Sequence, residues 1–219
     1  MRQRILFLAV GLLTAATFVH AGSITGTATR SGNDSANWGQ LGSCFTPIPT
    51  SFTATSTGGV GITGTLASPG QVRVQTACGW DGNFASGDNV LWTNGGGPLT
   101  LAFSQGVSGA GAQIETDTFG AFTAEICANG TLFCFSESGD STSAGDNSAI
   151  FIGLLDTTPG ITSITFSITS CGDCNMGDFA INELSLTDGV TTTPEPSSLL
   201  LFGTSLLGLA PFRRRLFGR

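Results

Sequence analysis

The sequence predicts an all-β fold over residues 22–190, a two-sheet antiparallel sandwich of the jelly-roll type. Short runs of alternating apolar and polar residues recur along this region. Gly, Pro, Asn or Asp bounds each run, as is typical of half-buried strands joined by tight turns. No segment within it repeats apolar residues at helical spacing over three turns with caps. We expect about ten to twelve strands, which suits a jelly roll better than a seven-strand immunoglobulin type.

Five alternating runs mark individual strands. They contain Val72 and Val74; Leu99, Leu101 and Phe103; Phe122, Ala124 and Ile126; Ile150, Ile152 and Leu154; and Ile164, Phe166 and Ile168. Pro69 and Pro159, each followed by a glycine, mark turns between runs. Because successive side chains of a strand point to opposite faces, each run should bury one face.

The final predicted strand, residues 178–186, changes phase along its length. Phe179 and Ile181 share one phase, whereas Leu184 and Leu186 share the other. One extra residue between the two pairs would place all four side chains on the same face, which is the effect of a β-bulge. We therefore expect a bulge in this strand.

Residues 1–21 have the features of a secretory signal peptide, forming an N-terminal signal helix. Two arginines precede the apolar run 5–13, and Val19 and Ala21 stand at the −3 and −1 positions of a cleavage site before Gly22. The alternative, a membrane anchor, needs an apolar run of about 18 residues. We expect signal peptidase to remove this segment.

Residues 191–219 combine three features in order. These are Pro194-Glu195-Pro196, an apolar run from Leu199 to Phe212, and the cluster Arg213, Arg214 and Arg215. A hydrophobic helix followed by positive charge has the physics of a stop-transfer segment. The sixteen residues from Ser197 to Phe212 would span roughly 24 Å, slightly short of a hydrocarbon core of about 30 Å. So short a span suits a temporary anchor, and a plain type I membrane protein is the alternative.

These three features resemble the PEP-CTERM sorting signal, a tail also catalogued as the "ice-binding protein C-terminal" domain, a name that does not imply ice binding. The resemblance implies an exosortase, a membrane protease and transpeptidase of Gram-negative bacteria that also make exopolysaccharide. It implies cleavage near Pro194, Glu195 and Pro196 after transient anchoring in the inner membrane. The product would then be released or transferred to the cell surface or extracellular matrix.

Basic residues are almost absent between the two ends. Residues 22–193 contain two bases, Arg30 and Arg73, against fourteen acids, a formal charge of −12; the single histidine, His20, lies in the leader. Such a region lacks the basic surface that phosphate contacts need, so we expect no nucleic-acid partner. Without His or Lys it cannot build a Ser-His-Asp or Cys-His mechanism, a Schiff base or a His-ligated zinc site.

All six cysteines lie between the ends, and an even number in an exported chain indicates disulfides. Sequence neighbours suggest three pairs: Cys44 with Cys78, Cys127 with Cys134, and Cys171 with Cys174. The middle pair has support from Asn129-Gly130, a hairpin signal between the two cysteines. A redox motif or half of a zinc site is the alternative for Cys171 and Cys174.

Acids are the abundant reactive groups, and jelly rolls can host glycosidases with two facing carboxylates. Glu115 and Glu125, on neighbouring predicted strands and with Glu137 nearby in sequence, are the candidates. A solvated polar face explains the same residues, so we expect no enzyme and no catalytic residue.

We expect no cofactor; Ca²⁺ would suit the loop-borne oxygen ligands best if one were bound. The loop residues with carboxylate or amide oxygens are Asp81, Asn83, Asp140, Asp146 and Asn147, with Asp173, Asp178 and Asp188 around the final strand. None of them fits the twelve-residue EF-hand pattern.

Three tryptophans suggest carbohydrate binding as an alternative function, with exopolysaccharide as the partner. Trp38 and Trp80 sit beside glycine and polar residues, as exposed rings would, whereas Trp92 should belong to the core; packing of all three rings inside the protein is the favoured interpretation. The expected function is a non-enzymatic cell-surface or matrix protein. A carbohydrate-binding module and a carboxylate glycosidase are the competing classes.

Overall fold

A computed structural model describes residues 22–188, which form two β-sheets packed face to face. The predicted signal helix and the predicted C-terminal hydrophobic helix lie outside the described residues. Sixteen strands and one short 3₁₀ helix, Trp38–Leu41, make up the regular structure of residues 22–188. The strands are β1 (Ile24–Thr27), β2 (Asp34–Ala36), β3 (Pro47–Ile48), β4 (Ser51–Thr55), β5 (Gly61–Thr65), β6 (Gly70–Gln75), β7 (Gly79–Trp80), β8 (Asn89–Trp92), β9 (Leu99–Val107), β10 (Gly109–Thr116), β11 (Gly120–Ala128), β12 (Phe133–Ser141), β13 (Ile150–Asp156), β14 (Ile161–Cys171), β15 (Phe179–Ile181) and β16 (Leu184–Thr187). Over the same residues, no helix is long and apolar enough to cross a membrane.

The larger sheet has ten strands and the smaller has six. The main path of the larger sheet is β1-β13-β10-β15-β8-β6-β3, with β16 between β10 and β2, and β7 beside β6. The smaller sheet has the order β12-β11-β14-β9-β5-β4. This two-sheet sandwich confirms the predicted fold class. The strands outnumber the expected ones because several are very short; β3 and β7 have two residues each, too few to show an alternating pattern.

The core lies between the two sheets and is built from the alternating runs. All five runs fall within strands, namely β6, β9, β11, β13 and β14. Leu101, Ile126 and Phe166 are examples of their inward residues, and all three are fully buried. Burying each such side chain contributes about 1.5–3 kcal/mol. The period-two pattern therefore identified much of the interior.

The phase change in the final strand is a β-bulge, as predicted. On β10, Ile114 faces Ile181 and Gly111 faces Ser185, so three steps along β10 correspond to four along β15 and β16. The side-chain carbonyl of Asn182, within the bulge, accepts a hydrogen bond from a backbone N–H of β10 at 3.1 Å. The extra residue keeps Ile181 and the leucines of β16 facing the core.

A second, smaller apolar cluster covers the outer face of the ten-stranded sheet. It consists of Trp80, Phe84, Val90, Ala149 and Ala180, with Trp92 packed against it. The segments 81–88 and 142–149 lie over the sheet here, joined by two backbone hydrogen bonds of 2.7 and 3.2 Å. These segments bury part of a sheet face that a simple sandwich would leave open to water.

Both ends of the described chain lie at the same end of the sandwich, which we call the tail end. The N–H of Ser23 donates to the hydroxyl of Thr157 at 3.1 Å. Two backbone hydrogen bonds of Ser108, 2.8 and 2.7 Å long, join the last residues of β16 and β13. From there the eight residues of β10 run about 24 Å to the opposite, far end, where Asp117 and Asp178 lie.

Candidate functional site

The six cysteines form three disulfides in the pairs that sequence proximity suggested. The pairs are Cys44 with Cys78, Cys127 with Cys134, and Cys171 with Cys174. Asn129 and Gly130, between the middle pair, both adopt the positive φ values that a tight hairpin turn requires. With all six in disulfides, no thiolate remains to bind zinc. Disulfides persist in oxidising compartments, which agrees with an exported chain.

The three glutamates expected as catalytic candidates lie apart. Glu115 points out of the ten-stranded sheet, because its neighbours Ile114 and Ala112 fill the core side of β10. Glu125 points out of the six-stranded sheet on the other side of the molecule, since Ala124 and Ile126 are core residues. Glu137 is paired with Ala124 and therefore lies on the face of β12 opposite to that of Glu125. Glu115 and Glu125 therefore do not form a facing pair, because their strands belong to different sheets.

Glu115 is the most perturbed acid in the described part of the chain. It is 1% exposed, accepts a hydrogen bond from Trp80 Nε1 at 2.6 Å and another from the N–H of Asn83 at 2.7 Å. Burial raises the pKa of Glu115 to about 7; the two hydrogen bonds act in the opposite direction, and the nearby Asp117 charge adds to the increase. Because it is enclosed by the outer cluster, its carboxyl cannot contact a substrate.

Trp38 and Trp80 are packing residues, as favoured, whereas Trp92 reaches the surface. Trp38 is 0% exposed, packs edge-to-face on Phe52 with ring centroids 6.4 Å apart, and donates from Nε1 to the carbonyl of Asn182 at 2.6 Å. Trp80 is 4% exposed, while Trp92 is the half-buried one. Trp38 belongs to the main core and Trp80 to the outer apolar cluster, so their polar neighbours in sequence did not indicate exposure.

One group of aromatic and charged side chains is accessible on the outer face of the ten-stranded sheet. The guanidinium of Arg73 lies between two rings, 4.4 Å from the centroid of Phe45 and 4.5 Å from that of Trp92. Trp92 Nε1 donates to the carboxylate of Asp178 at 2.6 Å, and the N–H of Asp117 donates to the carbonyl of Asp178. We call these five residues, Phe45, Arg73, Trp92, Asp117 and Asp178, the Arg73 surface. Sequence reasoning named Trp92 and Asp178 separately but had no signal that would join them to Phe45.

Phe45 has an unusual backbone for a large residue. It is 52% exposed and has a φ of 66°, in the left-handed region that bulky side chains rarely adopt. Its N–H donates to the carbonyl of Val72 at 2.8 Å, and the preceding residue, Cys44, is fixed by its disulfide to Cys78. Such strain persists only where the surroundings enforce it. The loop thus holds an apolar ring in solvent, over Arg73.

Two of the loop residues considered as calcium ligands, Asp146 and Asn83, already accept hydrogen bonds from other residues of the chain. Asp146 accepts hydrogen bonds from the N–H and hydroxyl of Ser148, and these lower the pKa of Asp146. The side-chain oxygen of Asn83 accepts from the N–H of Thr142 at 2.6 Å. In residues 22–188 the one group of three ligand-type residues is Glu125, Cys127 and Cys134, which includes a disulfide and so offers no thiolate.

Asp34 is a buried acid that sequence reasoning missed. It is 7% exposed, and its Oδ1 accepts from the N–H groups of Ser35 and Gly58 and from the hydroxyl of Thr57, at 2.6–2.7 Å. Burial acts to raise the pKa of Asp34, but the hydrogen bonds outweigh it and the pKa lies below its usual value. Asp34 therefore fixes the turn after β4 against β2 and has a structural role.

The fold and its three disulfides define a class, a disulfide-bonded β-sandwich protein. Comparison with known families adds a specific feature: residues 192–215 match the model of the PEP-CTERM protein-sorting motif. The match contains Pro194, Glu195 and Pro196 and the arginines 213–215, all outside the described residues. No curated protein and no solved structure matches the chain. The motif implies an exported protein with a membrane-anchored intermediate, which an exosortase processes before it reaches the surface.

Proposed function

We propose that this chain is a non-enzymatic protein of the cell surface or extracellular matrix of a Gram-negative bacterium. Signal peptidase removes residues 1–21, and residues 191–219 anchor the chain transiently in the inner membrane. Exosortase then cuts near Pro194-Glu195-Pro196 and frees or transfers the sandwich. The function of the mature protein is exercised by residues 22–190 as a stable, disulfide-bonded domain.

The observation that carries this proposal is the position of the sorting motif directly after the folded sandwich. Five residues lie between Asp188 and Pro194, so an extended chain would place the two at most about 20 Å apart. Asp188 is held at the tail end, where Gln105 Nε2 donates to its carboxylate at 3.0 Å. The anchored intermediate would therefore keep the tail end near the membrane and present the far end outward.

The non-enzymatic part of the proposal is supported by the placement of the acids. Glu115 is enclosed, and Glu125 and Glu137 lie on opposite faces of their sheet, so no two of them flank a common cleft. A glycosidase needs two carboxyl groups about 5–10 Å apart around one bond. Hydrolysis of a polysaccharide by the pure protein, lost in Glu125→Gln, would overturn this part.

Mass spectrometry of the exported protein tests the processing route. We expect the surface form to begin at Gly22 and to end near Glu195, without Arg219. Replacing Pro194, Glu195 and Pro196 by alanine should leave an uncleaved form, ending at Arg219, in the membrane fraction.

The matched control is Val190→Ala, which changes the same linker outside the matched residues and should be processed normally. A wild-type surface form that still carries Arg219 would contradict the proposal, and so would normal processing of the triple alanine variant.

A further inference from the structure

The Arg73 surface combines the groups that recognise a sugar ring. Phe45 offers a half-exposed aromatic face. Its strained backbone holds this apolar ring in solvent, and solubility gives no reason for such an arrangement. A sugar packs its C–H face on such a ring while polar groups at the edge orient it. The disulfide next to Phe45 and the stack on Arg73 fix the ring before any ligand arrives, which reduces the entropy lost on binding.

The charged groups beside the ring supply directional hydrogen bonds. Within residues 22–188 the one ion pair joins Arg30 to Glu183, so no carboxylate lies within ion-pair distance of Arg73. Asp117 is exposed and Asp178 is half-buried at the same place. A guanidinium and carboxylates can each bind two adjacent hydroxyls of a sugar through paired hydrogen bonds.

Charge selects the class of glycan. Residues 22–188 contain two bases and fourteen acids, and two of these acids belong to the Arg73 surface. An anionic polysaccharide would meet repulsion both from the whole domain and from Asp117 and Asp178. A protein partner would need a larger continuous apolar core than the exposed parts of Phe45 and Trp92 provide. An uncharged chain rich in hydroxyls satisfies both the ring and the polar groups.

We propose that the Arg73 surface is a binding site for a neutral glycan chain, with Phe45 as the stacking ring and Arg73, Asp117 and Asp178 as hydrogen-bonding partners. The site lies toward the far end of the sandwich, because Asp117 and Asp178 lie there, about 24 Å from the start of β10. It would therefore be open in the anchored intermediate as well as in the processed protein. Glycan binding at this surface does not depend on how the chain is sorted.

Native affinity electrophoresis tests the site, with the full chain produced in an oxidising compartment and extracted in a mild neutral detergent. The gels contain hydroxyethyl cellulose, laminarin, galactomannan or dextran as neutral probes, and alginate as the anionic probe. The variants are Phe45→Ala and Asp117→Asn. The matched control is Leu132→Ala, since Leu132 is 82% exposed and lies on the hairpin loop between β11 and β12, away from the Arg73 surface.

We expect retardation in at least one neutral gel and none in alginate. Phe45→Ala should weaken that retardation about tenfold or more, Asp117→Asn should weaken it measurably, and Leu132→Ala should leave it unchanged. The proposal would be overturned by free migration in every neutral gel, by preference for alginate, or by unchanged retardation of both surface variants. Size-exclusion chromatography that shows a dimer dispersed by Phe45→Ala would overturn it in favour of self-association. If Phe45→Ala does not fold, the retardation of Asp117→Asn relative to the wild type still tests the site.

Discussion

Glu115 should make the stability of the sandwich fall as the pH rises. Its pKa is about 7 in the folded protein against 4.5 for the ordinary carboxyl, so the folded state binds the proton more tightly than the unfolded state. The contribution is therefore fully present below about pH 4.5 and is lost as the pH rises through about 7. At 1.36 kcal/mol per pKa unit, the loss amounts to about 3 kcal/mol.

Glu115→Gln isolates this effect, because an amide of nearly the same shape cannot ionise. Urea unfolding at pH 5, 6, 7 and 8, with the disulfides intact, gives the free energy of unfolding of each variant. The wild-type protein should lose about 2–3 kcal/mol between pH 5 and 8, and Glu115→Gln should stay nearly level. At pH 5 the variant should be about 1 kcal/mol less stable, since the amide can accept from Trp80 or from Asn83 but not from both.

The control is Glu125→Gln, which removes a carboxylate from the outer face of the other sheet and should keep the wild-type slope. The reasoning is refuted if the wild-type stability is level or rises over this range. It is equally refuted if Glu115→Gln declines as steeply as the wild type.

Two further changes test other parts of the structure. Replacing Cys44 and Cys78 by alanine should lower the free energy of unfolding by about 4 kcal/mol, and replacing Cys171 and Cys174 by about 2 kcal/mol. In the chain-entropy description a longer closed loop stabilises more, and the sequence separations of the two pairs are 34 and 3. Equal losses in chemical denaturation would contradict this. Trp38→Phe leaves a buried carbonyl unpaired, so it should cost about 1–3 kcal/mol with the midpoint of unfolding shifted and the m-value unchanged.

Most of the fold could be predicted from local patterns in the sequence. Alternation located the central strands, and the phase change at 178–186 located the bulge, because both depend on side-chain direction along one strand. The pairing of cysteines also followed from proximity in the chain. Strands of two or three residues, such as β2 and β7, escaped because they are shorter than the pattern that detects them.

The candidate site was less accessible to sequence reasoning. Whether Trp80 or Trp92 meets solvent depends on the segments 81–88 and 142–149, which cover one part of the outer sheet face and leave the next part open. The stack of Phe45, Arg73 and Trp92 joins three distant positions, and no local pattern encodes that meeting. The segment 81–88 also helps to bury Glu115. Its residue type suggested a reactive acid, and nothing in the local sequence indicated that it would be enclosed.

The order in which the cysteines pair has a consequence for how the protein is made. Six cysteines allow fifteen sets of three bonds, and the set found here joins the first to the second, the third to the fourth and the fifth to the sixth. A chain that crosses the membrane from its N-terminus delivers each pair complete before the next pair emerges. Oxidation of each cysteine with its predecessor, as the chain arrives, therefore gives the native set without any later exchange of partners by thiol–disulfide isomerisation.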